Sequence, residues 1–529
     1  MAILAMAAMA SAWRLPLANV PVRRQTLEPR LPGDDINPLY KYIGKLDSVY
    51  NWTDTGKRII GDGYTGYVLN VTSQEWLSPH EVLGERHIWY HYLAILVPNS
   101  PPEKWISTSI AGIYVTKGKN GPKLPEKDNI DIMAGSLLTL RAQAIVGVLF
   151  HIPNQPMVFA DDPTKEVRSE DELVSYTWRK AAETGRPEWC VYFPMTKAVQ
   201  RAMDAMTSWS VSPGSPVPHE ITKFYISGAS KRGAATWLTG AFEGWLPPAQ
   251  RRVIGIAPQV FSSLHLGDMI QRMYRNLGNW SFALEPYREQ NITDMINLPI
   301  MNYLASIVDP YSYRKDIFNI PNHVISGTGD EFFMVDDDWS WWDEFKANSR
   351  VSRLMISNAD HSLIANIPTL IEGISGHFVS LVFDKPFPVL DWTLANDTIT
   401  AKTTTRPFRV RVWYARTIKT TPIRRDFRSI RSIQPWAPCD PPAQRIKNEN
   451  CFVPIIWREK TLTIDDSLTF SHTGTAPEDG TFEAFFMQFD FHIPGTQVSF
   501  VSTTQVQVVP NISPFPDCGS GAACHGGIV

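Results

Sequence analysis

The sequence has no apolar run of about 18 residues, the length that a membrane-spanning helix requires. We therefore expect no membrane span. It also lacks an excess of either charge, because 50 Lys and Arg residues stand against 53 Asp and Glu residues and the formal net charge is -3. A chain so close to neutrality exerts no broad attraction on nucleic acid or on an anionic membrane. We expect neither of them to be a partner.

Cysteine is scarce, with five residues in a chain of 529. Cys439 and Cys451 are close enough in sequence to close a short loop, and Cys518 and Cys524 could close another in the tail. Cys190 would then stay unpaired, and we expect it to be buried. The Gly- and Ala-rich tail sequence CGSGAACHGG lacks a tetrahedral set of metal ligands and a rigid frame. We expect no metal there.

The most informative motif lies in residues 222–240, which read TKFYISGASKRGAATWLTG. An apolar β-rich run leads into a turn and then into small, helix-compatible residues, with Ser230 in the turn. This is how α/β-hydrolases expose a nucleophilic serine. Gly228 and Gly233 suit a tight turn, although Arg232 holds the second glycine position of the usual G-x-S-x-G motif. The motif predicts a nucleophilic serine; the alternative is an ordinary Gly-Ser turn.

Two partner residues follow in the order that is typical of α/β-hydrolases. A β-like run at 323–326 leads into GTGDEFF, which places Asp330 just past the end of a strand. A second run at 353–356 leads into SNADHSL, which places His361 in the next loop. Each candidate thus follows the carboxyl end of a strand, and we expect both to lie beside Ser230.

These residue types suit nucleophilic catalysis without a cofactor. A serine hydroxyl is a poor nucleophile until a base takes its proton, and His361 is the candidate base. Asp330 would hold the imidazole in the productive tautomer and stabilise the imidazolium, with Glu331 as the alternative acid. Three rival histidines lie in helix-compatible stretches or at the start of a strand, where structural roles are more frequent: His265, His323 and His377.

An oxyanion hole requires donors at the place where negative charge develops. We predict the backbone N–H of Lys231 as one donor, because this residue follows the nucleophile. The second donor should come from the loop after the β-like run at 110–116, where Lys117 is the candidate and Gly118 and Lys119 are the alternatives. The side chains of Lys231 and Arg232 could bind an anionic group of the substrate. The alternative for both is a structural ion pair or solvated charge.

Eight segments, three of which contain the candidate triad residues, carry a family resemblance: LNVTSQEWL (69–77), HIPNQPMVF (151–159), SEDELVSYTW (169–178), PMTKAVQRAMDA (194–205), SGASKRGAATWL (227–238), VDPYSYR (308–314), GTGDEFF (327–333) and SNADHSL (357–363). With them the chain resembles the PhoPQ-activated pathogenicity-related family, which includes autocrine proliferation repressor proteins. The resemblance implies an α/β-hydrolase-like domain with Ser230, Asp330 and His361 as its catalytic triad.

The runs around these motifs predict an α/β fold, with an open, mostly parallel sheet that carries helices on both faces. In residues 194–209, methionine and valine recur at helical spacing and should pack on the sheet. An aromatic, helix-compatible insertion at about 262–310 lies where hydrolases often carry a cap. There Tyr274 and Trp280 are candidates for binding substrate; a purely structural insertion is equally consistent.

The composition changes at about residue 385. From there to residue 512, β-branched or aromatic residues alternate with polar ones, which predicts an antiparallel β-sandwich-like domain after the hydrolase-like domain at 37–384. Within it, the Arg-rich segment RRDFRSIR (424–431) is expected to form a solvated edge or loop. We expect the tail at 513–529 to be flexible.

The N-terminus and the sequons point to secretion. Residues 1–20 begin with the short apolar sequence MAILAMAAMASA, which has candidate Ala-x-Ala cleavage sites and is typical of a signal peptide; the alternatives are a disordered leader or an incorrectly chosen start codon. Six N-x-S/T sequons are candidates for glycosylation, namely Asn51, Asn70, Asn279, Asn291, Asn396 and Asn511.

Two classes of function remain open from the sequence. The first is a secreted serine hydrolase that cleaves an ester or peptide bond of a small molecule or peptide through an acyl-enzyme. The second, implied by the family resemblance, is a secreted autocrine signal that represses proliferation and uses the hydrolase fold to bind a cell-surface receptor. Fold does not determine function, so experiment must separate the two.

Overall fold

The computed structural model describes residues 37–262, 264–385, 387–432, 438–439, 442–447 and 450–529. The predicted leader at 1–20 lies outside them. Their strands are β1 (Asn51–Gly61), β2 (Tyr64–Glu75), β3 (Ile88–Pro98), β4 (Ile110–Val115), β5 (Ile145–Leu149), β6 (Lys223–Ala229), β7 (Val253–Gln259), β8 (Asn322–Gly327), β9 (Val351–Ile356), β10 (Leu390–Ala395), β11 (Thr398–Thr403), β12 (Arg409–Arg416), β13 (Ile430–Ser432), β14 (Gln444–Lys447), β15 (Asn450–Phe452), β16 (Arg458–Thr461), β17 (Thr469–Thr473), β18 (Glu483–His492), β19 (Ser499–Thr503) and β20 (Gln507–Val509). Their α-helices are α1 (Pro38–Gly44), α2 (Ile130–Ala142), α3 (Glu170–Thr184), α4 (Tyr192–Ser210), α5 (Lys231–Trp245), α6 (Leu266–Leu277), α7 (Glu285–Glu289), α8 (Pro299–Val308), α9 (Arg314–Ile317), α10 (Trp342–Asn348) and α11 (Ile367–Val382).

Within the described residues, a nine-stranded sheet has the order β1-β2-β3-β5-β4-β6-β7-β8-β9. The strands from β5 to β9 in this order run parallel to their neighbours, whereas β1, β2 and β3 add antiparallel strands at one edge. This confirms the predicted α/β-hydrolase-like sheet. The carboxyl ends of β6, β8 and β9 lie at the same edge of the sheet, as the candidate triad requires.

Helices cover both faces of the sheet, with α2 beside α11 and α4 beside α5. The predicted apolar face of α4 is confirmed, because Met195, Met203 and Met206 are all fully buried. The Met206 sulfur lies so close to Gly147 of β5 that a Cβ there would be 2.7 Å from it. Each such side chain stabilises the fold by roughly 1.5–3 kcal/mol through burial.

The C-terminal strands form antiparallel sheets, as predicted, but they share their core with the hydrolase part. Strand β18 is buried on both faces except at its last residue. Phe485 on one face packs in the same apolar cluster as Ile374 of α11. Phe486 on the other face packs in a cluster that contains Met355 of β9. The described residues therefore fold as one compact unit, although the change in composition at residue 385 does follow the end of α11.

The Arg-rich segment at 424–431 is not solvated, which corrects the sequence-based expectation. Arg425 pairs with Asp336 and Arg428 pairs with Asp426, and both arginine side chains are 2% exposed. A buried arginine requires a partner charge. The partner of Arg425 comes from the loop after β8, so local sequence could not reveal it.

The C-terminal tail at 513–529 is packed rather than flexible. A disulfide joins Cys518 to Cys524, and the backbone N–H of Trp280 donates to the carbonyl of Gly527 at 3.1 Å. The Trp280 indole N–H donates to the carbonyl of Cys524 at 2.9 Å. The tail thus binds the insertion between β7 and β8, and its small residues permit this close approach.

The other cysteines match the sequence-based expectations. A disulfide joins Cys439 to Cys451, whereas Cys190 is a buried free cysteine. Complete burial raises the pKa of the Cys190 thiol to about 12. Since the thiolate is the reactive form of cysteine, we assign Cys190 a packing role.

Within the residues that the structure describes, no helix is both long and apolar enough to cross a bilayer.

The sequon asparagines differ in accessibility, which bears on the glycosylation hypothesis. Four are exposed, namely Asn51, Asn291, Asn396 and Asn511, and two are half-buried, namely Asn70 and Asn279. Glycosylation of all six stays a prediction.

The contact between α11 and β19 tests the shared core. At Gly376 a Cβ would lie 2.2 Å from the Ser499 carbonyl oxygen, so we expect Gly376→Ala to lower the free energy of unfolding by about 1–3 kcal/mol. The control is Gly267→Ala, because a Cβ at Gly267 meets nothing within 4 Å. Urea unfolding measures both. An unchanged midpoint for Gly376→Ala would contradict the shared core.

Candidate active site

The candidate nucleophile occupies a strained turn between β6 and α5. Ser230 has φ 58° and ψ -129°, a backbone conformation that non-glycine residues adopt only when surrounding structure holds them in it. Its N–H donates to the Gln259 carbonyl of β7 at 2.9 Å. Since the neighbouring strand fixes the turn, the serine side chain is presented at the carboxyl edge of the sheet.

Two glycines allow this turn to pack tightly, and they explain the displaced glycine of the motif. A Cβ at Gly228 would lie 2.9 Å from the Arg232 carbonyl oxygen. A Cβ at Gly233 would lie 2.7 Å from the Gln259 carbonyl oxygen and 2.9 Å from the Phe261 Cβ. The first turn of α5 therefore approaches the end of β7 most closely at Gly233, and position 232 is free to carry a side chain.

The structure brings the three predicted triad residues together. His361 Nε2 lies 2.8 Å from Ser230 Oγ, and His361 Nδ1 lies 2.9 and 3.0 Å from the two carboxylate oxygens of Asp330. The His361 side chain is 17% exposed and that of Asp330 is 1% exposed. The imidazole can thus take a proton from the serine while the buried carboxylate holds its other nitrogen. The catalytic roles themselves stay predictions.

The loop that follows β8 holds Asp330 in place. Its Oδ1 also accepts hydrogen bonds from the N–H groups of Phe332 at 2.8 Å and Phe333 at 3.2 Å. The Phe332 ring packs on the His361 imidazole with 4.4 Å between centroids. Sequence reasoning did not assign a role to either phenylalanine, although their position directly after the acid in GDEFF was a usable signal.

Neither the alternative acid nor the rival histidines take a triad position. Glu331 Oε2 accepts a hydrogen bond from the backbone N–H of His361 at 3.1 Å rather than from its ring. His323 and His377 are fully buried, and burial lowers the pKa of both. His265 pairs with Asp268 at 2.8 Å. These contacts favour structural roles for the three rivals.

The candidate oxyanion donors lie on the expected elements. Lys231 is the first residue of α5, so its N–H has no acceptor within the helix and is available to a ligand. Lys117 is exposed and follows β4, whose last residue Val115 pairs in register with Gly228 just before the nucleophile. Whether Lys117 supplies the second donor stays a prediction.

The charged side chains after the nucleophile are engaged in ion pairs. Both guanidinium Nη atoms of Arg232 donate to Glu170, at 2.7 and 2.8 Å, and its Nε donates to the Ile152 carbonyl. Lys231 Nζ pairs with Glu170 at 2.9 Å and with Asp171 at 3.0 Å. Despite burial, these cations hold the pKa of Glu170 far below its usual value. The contacts favour the structural ion pair, and they correct the expectation that Arg232 binds substrate.

The insertion residues that were candidates for substrate binding also face protein. Trp280 is fully buried beneath the tail, and the Tyr274 ring packs on it with 4.9 Å between centroids. This differs from the expectation that both line a pocket. Tyr287 on α7 instead reaches the active-site side, where its hydroxyl donates to Asp171 at 3.0 Å.

A metal site does not compete with this assignment in the part of the chain that the structure describes. No group of three or more His, Cys, Asp or Glu side chains there is arranged to hold a metal ion.

Comparison with known proteins gives a family and a relative. A family model described as "PhoPQ-activated pathogenicity-related protein" matches residues 39–428. Autocrine proliferation repressor protein A of Dictyostelium discoideum is 32% identical over 505 residues, which cover 93% of this chain and 94% of that protein. The two proteins therefore match along almost their full lengths.

Solved structures give more distant likenesses. Acetyl xylan esterase 1 from a Thermoanaerobacterium species is 13% identical, with a TM-score of 0.39, and the match covers 65% of this chain and 92% of that chain. S-formylglutathione hydrolase from Agrobacterium tumefaciens is 14% identical, with a TM-score of 0.35, and the match covers 63% and 99%. At such TM-scores neither likeness carries a functional inference.

The strain at Ser230 can be measured by comparing two variants that both remove the hydroxyl. Because glycine adopts positive φ without steric cost and alanine does not, we expect Ser230→Gly to be more stable than Ser230→Ala by about 1 kcal/mol. Thermal unfolding of both variants measures the difference. Equal stability, or a more stable alanine variant, would contradict a strained turn.

Proposed function

The chain belongs to the PhoPQ-activated pathogenicity-related protein family, and from that membership and the geometry of the site we propose that it is a secreted serine hydrolase. Ser230 is its nucleophile, His361 its general base and then its general acid, and Asp330 the residue that orients the imidazole. The observation that carries the proposal is the continuous hydrogen-bond chain from Ser230 Oγ through both nitrogens of His361 to the Asp330 carboxylate.

The steps of the reaction follow from this hydrogen-bond chain. His361 Nε2 takes the hydroxyl proton as Ser230 Oγ attacks the carbonyl carbon of the substrate, and the carbonyl oxygen becomes an oxyanion that the N–H of Lys231 stabilises. The imidazolium then gives its proton to the leaving alcohol or amine, and an acyl-enzyme remains. A water molecule, deprotonated by His361, attacks the acyl carbon, and collapse of the second oxyanion releases the acid and returns the proton to Ser230.

The strained serine supports catalysis rather than a structural role for the same three residues. A buried aspartate, a half-buried histidine and a half-buried serine could form a structural hydrogen-bond chain in any loop. A structural chain, however, gives no reason to hold Ser230 at φ 58°, since such strain costs about 1–3 kcal/mol and clusters at functional sites. An ester or peptide bond of a substrate would approach from the side on which Ser230 and His361 are exposed.

Labelling with a fluorophosphonate, which reacts with activated serines, tests the enzyme proposal. We expect wild-type protein to be labelled and Ser230→Ala not to be, because the probe needs the serine oxygen. Asp330→Asn should lower the labelling rate on the order of 10⁴-fold, since the amide favours the wrong tautomer of His361. Intact mass and peptide mapping locate the adduct.

The matched control for this experiment is Ser306→Ala, which removes an exposed hydroxyl from α8 and should leave labelling unchanged. Folded wild-type protein that resists the probe would contradict the proposal. Once labelling is established, a panel of matched esters and amides distinguishes an esterase from a peptidase.

The Dictyostelium relative supports a second candidate function, because its name describes an autocrine repressor of proliferation and the match covers 93% of this chain. In this alternative the protein is a secreted signal, and the hydrolase fold carries a surface that binds a receptor on the cell. The ion pairs around Glu170 and the packed tail would then serve to keep that surface rigid.

A growth assay separates this alternative from the enzyme. Purified protein is added to growing cells of the species that encodes it, and doubling time is measured. If signalling depends on surface alone, Ser230→Ala should repress growth as fully as wild type, because the substitution leaves the surface intact. Loss of repression in a folded Ser230→Ala protein would show that hydrolysis is required, and no repression by wild type would exclude this candidate.

A further inference from the structure

A second carboxyl group lies directly beside the triad, and the mechanism above does not use it. Glu331 is 5% exposed, and its Oε2 accepts a hydrogen bond from the backbone N–H of His361 at 3.1 Å. Among the described residues its Oε1 is buried without a hydrogen-bond partner. A buried polar atom without a partner is costly, and this one lies beside the triad.

The backbone of Glu331 is itself fixed from the other side. The Ser281 hydroxyl donates to the Glu331 carbonyl at 2.5 Å, and Arg428 Nη1 donates to Ser281 Oγ at 3.0 Å. Arg428 is in turn held by its bidentate contact with Asp426. These contacts therefore fix Glu331 between the C-terminal part of the chain and the loop that carries His361.

We propose that Glu331 is a positioning residue, whose carboxyl group holds the main chain at His361 and so fixes the imidazole between Ser230 and Asp330. The inference rests on the proposed function, which it deepens. Asp330 holds the ring of His361 and Glu331 holds its backbone, so together the two neighbouring acids determine both the orientation and the place of the base. A displacement of about 1 Å at such a group can cost 100-fold in rate.

The charge state of Glu331 agrees with this role. Burial, together with the carboxylates of Asp330 in its own loop and Asp360 in the His361 loop, raises its pKa to about 8, although the hydrogen bond from the His361 N–H lowers it. At pH 7 the group is therefore neutral, and Asp330 is the negative charge that faces the imidazole. Above pH 8 a second buried carboxylate would form against Asp330 and Asp360, and the repulsion would loosen the His361 loop.

Hydrogen exchange tests the contact without any need for catalysis. We expect Glu331→Ala to raise the exchange rate of the His361 amide at least about 10-fold, because the hydrogen bond that protects the amide is lost. Glu331→Gln should keep the protection, since its amide oxygen accepts the same bond. The control is Glu372→Gln, a carboxyl group on α11 that pairs with Arg141. Mass spectrometry with residue-level fragmentation measures the rates, and unchanged exchange in Glu331→Ala would overturn the proposal.

The fluorophosphonate labelling rate tests the consequence for the base. At pH 7 we expect Glu331→Gln to react within about 3-fold of wild type and Glu331→Ala to react about 10- to 100-fold more slowly. Between pH 7.5 and about 9 the wild-type rate should fall through ionisation of Glu331, whereas Glu331→Gln should show no such fall. A purely structural residue would not move this pH profile, so identical profiles would overturn the positioning role.

The two measurements distinguish failure of the proposed hydrolase from failure of the proposed role of Glu331. If wild-type protein is not labelled, the proposed hydrolase fails, while the exchange rates still decide whether Glu331 holds His361. If wild type is labelled and Glu331→Ala does not fold, the exchange rate and pH profile of Glu331→Gln carry the test, since this variant keeps the shape of the side chain and loses only its ability to ionise.

Discussion

The hydrogen bond from the Ser230 N–H to the Gln259 carbonyl at 2.9 Å is the contact on which the site depends. It fastens a strained turn to the end of β7, and the close approach at Gly228 and Gly233 leaves that turn no room to relax. With the serine fixed in this way, the loops after β8 and β9 need only bring Asp330 and His361 to the same edge of the sheet. Pre-organisation of this kind lowers the reorganisation that the reaction requires.

The charged side chains close to the nucleophile form ion pairs that stabilise the fold around it. Lys231 and Arg232 follow the serine, yet their side chains turn away to Glu170 and Asp171 at the start of α3. Because the partners come from a segment 60 residues earlier, the ion pairs tie the loop after β5 to the nucleophile turn. The charges of Lys231 and Arg232 are thus balanced by Glu170 and Asp171.

Sequence patterns predicted the sheet and the triad well because both depend on local signals. Apolar runs followed by small or polar loop residues mark β6, β8 and β9, and the candidate residues stand directly after them.

The edge strand β1 was missed, since NWTDTGKRIIG lacks the apolar alternation of a half-buried strand and most of it is solvated. The buried Arg425 and Arg428 and the packed tail were predicted wrongly, and for Arg232 the sequence left substrate binding and an ion pair both open. The partners of Arg425, of Arg232 and of the tail lie far away in the sequence, beyond the reach of local composition, whereas Arg428 pairs with the nearby Asp426.

Strand β18 makes the hydrolase part depend on the C-terminal part of the chain. Phe485, Phe489 and Phe491 face one apolar cluster and Phe486 faces another, and both clusters contain residues of the hydrolase sheet or its helices. A gene that encoded the chain only as far as α11 would leave one side of each cluster open to water. We therefore expect the hydrolase part to need the C-terminal sheets for a stable fold.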